Sequence, residues 1–276
     1  MLDHLSHGRL DVGVGRGVSP YELKYHKVEH DRSRDIFIDA FKCVSAGLTT
    51  DRLTYESEHY SYKDVPIELR PLQEPHPPFW YGSSNEIGST WAGEQGLHFV
   101  TLGPMATAKA NIDAYKAALN KRGGPVQPKA EFSGGAAIGV QRHIFVADTD
   151  AEAHETGLTS RLNVPRGANF EACVEDRTVI AGSPATVRAE LVRQVRELGV
   201  NYLLTYLFLG AMSLADALRS LDPARSCRIW ENSNVSLPGT DSGFPRSARN
   251  NSQITLRHCR ARAARRRAAR RGAAWR

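Results

Sequence analysis

The fold is decided by the segment LDHLSHGRLDVGVGRG, residues 2–17. It reads as the end of a helix, a turn, a short apolar strand at Leu10–Val14 and a glycine-rich exit. Three glycines at alternate positions leave backbone amides open to a ligand, and Arg16 adds a planar guanidinium suited to a phosphate. Ligands of α/β folds bind just past the carboxyl ends of strands. This exit is therefore a candidate anion site, with tight strand packing as the alternative use of the glycines.

Outward from this segment, apolar β-prone runs alternate with helical stretches. The predicted strands are Leu10–Val14, Phe79–Tyr81, Leu97–Leu102, Ile138–Val146 and Tyr202–Phe208. The predicted helices are Ser33–Ala46, Asn85–Gln95, Thr107–Lys121, Asp148–Thr159, Ser183–Leu198 and Ser213–Ser220. The repetition predicts a parallel sheet packed against helices, either doubly wound or a barrel. Residues 53–78, rich in tyrosine and proline, are expected to be an irregular excursion.

A second candidate site follows the strand at Phe79–Tyr81, where the sequence runs WYGSSNEIG over residues 80–88. Free amides and the dipole at a helix N-terminus attract anions, and Ser83, Ser84 and Asn85 could add side-chain donors. The alternative is that these residues serve only as ordinary helix caps. The GxGxG spacing of the first segment is not the GxGxxG of a dinucleotide fold.

Charge divides the chain into two parts. The 54 residues from 223 to 276 hold 13 Arg, no Lys and two acidic residues, while the preceding residues hold 23 basic and 28 acidic side chains. The basicity therefore belongs to an appendage, which makes a nucleic-acid partner unlikely for the body. We predict one domain over 1–222 and a basic tail over 223–276 that is disordered or translated out of frame.

Other chemistries have little support in the sequence. The four cysteines lack a CxxC pair, and the histidine pairs His4/His7 and His26/His30 lack the partners that would complete a zinc site. No GxSxG elbow or readable nucleophile is present, so the catalytic residues are left unassigned. With no membrane-length apolar run and no signal-like start, the expected location is the cytoplasm.

Three motifs in register resemble the bacterial luciferase-like flavin monooxygenase family. They are the opening segment, the HPPFWYGSSNE turn at 76–86, and Ala181–Pro184 leading to the strand NYLLTYLF. The resemblance covers about residues 2–221 and implies a (β/α)8 TIM barrel that binds reduced FMN or the deazaflavin F420. It implies a flavin-dependent oxidoreductase, in which the flavin does the chemistry and the protein supplies orientation and a water-poor pocket.

Carried over by position, the resemblance assigns the cofactor phosphate to two segments of this chain. The first is Gly15, Arg16, Gly17 and Val18, and the second is Ser83, Ser84 and Asn85. The turn at Gly182–Pro184 is left structural. The expected partners are a small organic substrate with O2, and a flavin reductase.

The family places about three strand-helix units before the opening segment, so the chain is expected to be a partial barrel that retains about the last five units. Its open sheet edges favour a homo-oligomer or pairing with a complementary half-barrel. Two further hypotheses follow: F420-dependent hydride transfer, and an inactive half-barrel that serves as an interaction module.

Overall fold

The computed structural model describes residues 1–17, 19–160, 169–207 and 209–221. Its strands are β1 Val12–Val14, β2 Arg52–Glu56, β3 Ser61–Pro66, β4 Phe79–Ser83, β5 His98–Thr101, β6 Ile138–Val146, β7 Val179–Gly182 and β8 Tyr202–Tyr206. Its helices are α1 Leu2–Leu5, α2 Pro20–Tyr25, α3 Ser33–Thr49, α4 Glu86–Glu94, α5 Met105–Arg122, α6 Asp150–Thr159, α7 Phe170–Glu175, α8 Pro184–Leu198 and α9 Leu214–Ser220. All five predicted strands and all six predicted helices are confirmed, with ends that shift by up to three residues.

Five strands form one parallel path in the order β1-β4-β5-β6-β8, which are the five predicted strands. The short strand β7 pairs with the last residues of β6. Because His143 pairs with both Val179 of β7 and Tyr206 of β8, these two strands lie on opposite edges of β6. Within the described part of the chain, β1 pairs only with β4 and β8 only with β6.

Contacts between distant strands show that the sheet is rolled. The rings of Trp80 on β4 and Tyr202 on β8 lie 4.9 Å apart. In a flat sheet, strands three places apart would be separated by about 14 Å. The contact therefore needs the strong curvature of a barrel, and it decides between the two architectures that the sequence left open. Gly139 of β6 lies beneath it, since an added Cβ would be only 3.1 Å from the Tyr202 ring.

Alternation along each strand separates a concave face from a helix-covered outer face. Phe79 of β4 packs outward against Phe41 of α3 and Trp91 of α4, whereas the next residue, Trp80, points to the concave side. The outer face of β6 and β8 is likewise covered by α5 and α8. The structure is therefore a half-barrel with helices outside, as predicted for a partial (β/α)8 fold.

The irregular excursion predicted for residues 53–78 is wrong in part, because β2 and β3 form an antiparallel hairpin there. Its strands are largely exposed and charged, so they lack the apolar alternation that marks a strand in sequence. Backbone pairing and contacts to α3 hold the hairpin: Leu53 is buried, and the Tyr55 hydroxyl donates a 2.6 Å hydrogen bond to Asp39.

Strand β7 was also missed, because its four residues precede a helix-opening turn. That turn is as expected, with Ser183 capping α8 and Pro184 in its first turn. Phe208 of the last predicted strand and the basic tail predicted for 223–276 lie outside the described residues.

Helices α4 and α5 cross closely at a glycine. A Cβ added to Gly93 would lie 2.5 Å from the carbonyl oxygen of Tyr115 and 2.9 Å from the amide nitrogen of Leu119. Both of these atoms belong to the backbone of α5, which cannot swing aside as a side chain could. The crossing therefore requires glycine at this position despite its low helix propensity.

We predict that Gly93→Ala lowers the free energy of unfolding by about 1–3 kcal/mol, because the added methyl overpacks the crossing. The matched control is Gly47→Ala in α3, where the nearest atom to an added Cβ is a leucine methyl at 3.7 Å. That variant should gain about 0.5–1 kcal/mol through helix propensity. Urea denaturation measures both, and equal effects at the two glycines would contradict the packing explanation.

A buried histidine closes the amino end of the concave face. His98 is 1% exposed, packs 5.0 Å from the Trp80 ring, and accepts a 3.0 Å hydrogen bond at Nδ1 from the amide of Ala137. Burial, reinforced by the charge of Lys129, lowers the pKa of His98 to about 4. The imidazole is therefore neutral at physiological pH, with its proton on Nε2.

This histidine predicts a loss of stability in mild acid. The unfolded chain takes up a proton near the ordinary histidine pKa of about 6.5, whereas the folded chain takes it up only near pH 4. The free energy of unfolding is therefore highest above pH 6.5, and it falls by about 3 kcal/mol as the pH drops from 6.5 to about 4. Unfolding curves of His98→Gln should show a flatter pH dependence than the wild type, while the exposed-residue control His26→Gln should not.

Candidate anion-binding site

The two predicted anion sites lie side by side at one edge of the sheet. Strand β1 pairs in parallel with β4, with Val12 opposite Phe79 and Val14 opposite Tyr81. Parallel strands present their carboxyl ends at the same edge. Arg16, two residues past the end of β1, therefore comes next to the end of β4 at Ser83.

A small recess open to solvent connects the two strand exits. It is lined by the side chain of Arg16, by the first turn of α4 and by the facing side of α3. The lining residues are Arg16, Arg34, Phe37, Ile38, Tyr81, Gly88 and Trp91. Aromatic and aliphatic carbons form most of its walls, and the charged groups that line it are two guanidinium groups, a lining whose chemistry suits an anion.

Arg16 is held in place from the side of α3. Its Nη1 donates a 3.0 Å hydrogen bond to Oγ of the buried Ser33, and that hydroxyl donates to the carbonyl of His30. One guanidinium nitrogen is thereby fixed, which leaves the other donors of the fork to face the recess. Gly17 follows in the left-handed region at φ +79°, a backbone conformation that favours glycine.

The first segment has two further predicted residues, Gly15 and Val18. Gly15 is exposed, and a Cβ added there would meet no atom within 4 Å, so tight strand packing does not explain this glycine. Val18 lies outside the described residues. The first segment thus contributes the guanidinium group of Arg16, held by Ser33, and backbone without side chains at Gly15 and Gly17.

In the second segment, two of the three predicted residues serve the helix itself. Oγ of Ser83 donates to the carbonyl of Asn85 and accepts from its amide. Oδ1 of Asn85 accepts from the amide of Gly88 at 2.9 Å, which makes Asn85 the N-cap of α4. Ser84 is exposed, and no hydrogen bond joins its hydroxyl to another described residue. Ser84 is therefore the member of this turn that is available to a ligand.

Gly88 brings the first turn of α4 down onto the end of β4. A Cβ at this position would lie 2.4 Å from Oγ of Ser83 and 3.4 Å from the Tyr81 ring. Only glycine permits this approach, which sets the floor of the recess. Gly88 ends the WYGSSNEIG motif, and the sequence pattern alone does not indicate this packing role.

Electrostatics in the recess are dominated by two arginines. Burial raises the pKa of the Tyr81 hydroxyl, and the nearby charges of Arg16 and Arg34 oppose that rise. Arg34 lies in the first turn of α3 and was not predicted. Its sequence neighbourhood, HDRSRD, is rich in charged residues, and no local signal separates Arg34 from the arginine two residues earlier.

A third arginine, Arg142, is buried and holds the turn that follows β5. Arg142 of β6 is fully buried, and it donates to Oε1 of Gln194 at 2.7 Å and to the carbonyl of Gly103 at 3.0 Å. Burial lowers its pKa to about 10, against the pull of Asp176 and Glu190. Its role is structural, because it joins α8 to the turn after β5.

The described residues also bear on the expectations about metals, thiols and membrane spans. Within the described ranges, no group of three or more histidine, cysteine or acidic residues is arranged to hold a metal ion. Cys43 and Cys173 are buried free thiols. In the part of the chain that the structure describes, no helix is both long enough and apolar enough to cross a bilayer.

Fold and recess together define a barrel-type α/β protein with a candidate anion site at the carboxyl ends of its strands. A family model described as luciferase-like monooxygenase matches residues 1–202. The chain belongs to this family, as the three motifs predicted. An uncharacterized protein, y4wF, from Sinorhizobium fredii is 28% identical over 235 residues, which cover 79% of this chain and 67% of that protein.

Solved structures confirm the fold. Monooxygenase RslO1 from Streptomyces bottropensis is 22% identical with a TM-score of 0.67, over 80% of this chain and 68% of its own. The oxygenating constituent of 3,6-diketocamphane monooxygenase from Pseudomonas putida, solved in complex with FMN, is 18% identical with a TM-score of 0.60. The match covers 84% of this chain and 71% of that one. An F420-dependent secondary alcohol dehydrogenase, solved with an F420-acetone adduct, is 16% identical with a TM-score of 0.56. The match covers 74% of this chain and 66% of that one.

The hydrogen bonds in the second segment generate a prediction about stability. Asn85→Ala should lower the free energy of unfolding by about 1 kcal/mol, because it removes the cap of α4. Ser84→Ala, one residue earlier, should change it by less than about 0.5 kcal/mol. Thermal unfolding of the two variants measures the difference, and a larger cost at Ser84 would show that its hydroxyl has a structural role.

Proposed function

We propose that this chain is a flavin-dependent oxidoreductase that uses reduced FMN and O2 to oxygenate a small organic substrate. The observation that carries the proposal is the recess shared by Arg16 and the first turn of α4 at the carboxyl ends of β1 and β4. Membership of the luciferase-like monooxygenase family supports the same cofactor class.

The residues of the recess fit a flavin phosphate. Arg16 would donate to phosphate oxygens with the part of its fork that Ser33 does not engage. The positive end of the α4 dipole would favour the same anion from the side of Gly88, and the exposed Ser84 hydroxyl would add a donor. Gly15 and Gly17 let the backbone after β1 come close to the same group.

The concave face beside the recess is bare backbone at three glycines. Cβ atoms added at Gly13 and Gly15 would meet nothing within 4 Å, and one at Gly82 would find its nearest atom at 3.8 Å. Farther along the sheet, the rings of His143 and Tyr206 stack 5.0 Å apart. We propose that bare backbone accepts the flavin ring and that the aromatic pair borders the substrate.

Bound there, reduced FMN would supply the electrons that activate O2. The protein's own contribution is to hold the phosphate, to orient the ring over the sheet and to keep water from it. A separate flavin reductase would supply the reduced cofactor.

F420-dependent hydride transfer is the second candidate function. It is favoured by the similarity of the fold to the F420-dependent alcohol dehydrogenase, since the same phosphate recess could anchor either cofactor. Under this alternative, the chain would oxidise or reduce a small substrate without O2.

A non-catalytic half-barrel is the third candidate. In the described residues, β1 and β8 each have one edge without a strand partner, and such edges favour association. A homo-oligomer or a complementary half-barrel would cover them. Light scattering on the purified chain tests this candidate, which requires an assembly; a monomer that binds flavin would contradict it.

The decisive experiment is an anaerobic titration of the purified chain with FMN, riboflavin and F420, followed by fluorescence. We expect FMN to bind at least tenfold more tightly than riboflavin, which lacks the phosphate. Arg16→Gln should weaken FMN binding by about 30-fold, to near the riboflavin level, because the anchoring guanidinium is gone.

The matched control is Arg9→Gln, which removes an exposed arginine of the same segment whose Nε bonds only the carbonyl of Ser6. FMN affinity should be unchanged in this variant. Equal binding of FMN and riboflavin by the wild type would overturn the phosphate site and the proposed function with it. Binding of F420 alone would select the second candidate.

A further inference from the structure

Two buried N–H groups lie close together at the amino end of the half-barrel. Trp80 is the second residue of β4 and His98 is the first residue of β5, and their ring centroids are 5.0 Å apart. Nε1 of Trp80 and Nε2 of His98 are both buried, and no described residue accepts a hydrogen bond from either atom. A buried donor without an acceptor costs free energy, so each group is suited to a bound acceptor.

The two groups cannot satisfy each other, because both are donors. An indole nitrogen only donates. Nδ1 of His98 accepts a 3.0 Å hydrogen bond from the amide of Ala137, which leaves the proton of the neutral imidazole on Nε2. Since the pKa of His98 is lowered to about 4, the ring keeps this neutral form at physiological pH. One acceptor atom within reach of both rings would complete both hydrogen bonds.

The charges around these donors favour an uncharged ligand. Lys129, whose charge acts on His98, forms a 2.7 Å ion pair with Asp11 and lies 4.0 Å from Glu131. The cation nearest to the imidazole is therefore already paired. Two neutral donors alone do not offset the cost of burying an anion.

The other groups around the two donors supply aromatic walls and a backbone carbonyl. The ring of Tyr202 on β8 lies 4.9 Å from that of Trp80. Phe132, in the loop between α5 and β6, lies 6.3 Å from the His98 ring. The backbone of Gln127, in the same loop, favours the protonated form of His98, as a nearby carbonyl does, although no hydrogen bond joins it to Nε2. Two donors with an acceptor nearby are the polar partners that a single hydroxyl group needs.

We propose that Trp80 and His98 bind one uncharged hydroxyl oxygen, supplied by a water molecule or by a small alcohol, at the amino end of the half-barrel. The oxygen accepts from both nitrogens and directs its own proton toward the loop that contains Gln127. The bound molecule thereby joins β4 and β5 to that loop. The site lies at the opposite end of the strands from the Arg16 recess, so it goes beyond the proposed flavin function and does not depend on it.

Nuclear magnetic resonance of the isotope-labelled full chain tests this site. Overhauser transfer from water to Nε1–H of Trp80 and to Nε2–H of His98 is recorded in the laboratory frame and in the rotating frame. We expect water peaks at both groups with opposite signs in the two frames, the signature of a bound water rather than of proton exchange with solvent. Trp80→Phe assigns the indole signal.

Addition of isopropanol distinguishes the two sources of the hydroxyl. If the site takes a small alcohol, the methyl protons of isopropanol give saturable peaks at the same two groups, and the water peaks disappear. If it takes water alone, the water peaks persist at every isopropanol concentration that leaves the protein folded. Acetate, an anion of similar size, should leave both groups unchanged.

A variant tests whether one molecule serves both groups. Trp80→Phe keeps an aromatic ring but removes one donor, so the peak between the bound molecule and Nε2–H of His98 should lose about threefold or more of its intensity. The matched control is Trp91→Phe, which changes a tryptophan that lines the Arg16 recess and should leave this peak unchanged. An unchanged His98 peak in Trp80→Phe would overturn the shared site.

Three results on the wild type would also overturn the inference, and they remain decisive if Trp80→Phe does not fold. The first is the absence of peaks from both water and isopropanol at the two groups. The second is water peaks of the same sign in both frames, which would show direct exchange with solvent. The third is displacement of the water by acetate, which would show a site for an anion. None of these results bears on flavin binding at the recess.

Discussion

The parallel register of β1 against β4 is the constraint on which the rest of the site depends. It places Val14 beside Tyr81 and so brings two strand exits, 67 residues apart in sequence at Arg16 and Ser83, to one edge of the sheet. A shift of this register would separate the cation from the helix turn that forms the floor of the recess.

Curvature of the sheet determines what the concave face can hold. The contact between Trp80 and Tyr202, two aromatic side chains on distant strands, fills the amino end of the half-barrel. Near β1 and β4, the carboxyl end is lined by Gly13, Gly15 and Gly82, which have no side chain to fill the space. A filled base below an open rim is the arrangement of barrel enzymes in general, where packing and chemistry occupy opposite ends of the strands.

The arginines of this protein show how environment separates structure from function. Arg142 is buried among neutral hydrogen-bond acceptors and ties α8 to the turn after β5. Arg16 and Arg34 sit at a solvent-open recess without a described carboxylate partner. The same side chain thus serves as an internal clamp in one place and as a candidate anion ligand in another, and its surroundings in space make the difference.

The sequence by itself determined the strands, the main helices, the family and the two segments of the candidate site, because apolar periodicity, cap residues and motif order are local properties. It missed the β2–β3 hairpin, whose exposed strands carry no apolar pattern. Only the tertiary structure chose the barrel and brought Arg34 beside Arg16. Both outcomes depend on contacts between residues far apart in the chain, and no local pattern encodes such contacts.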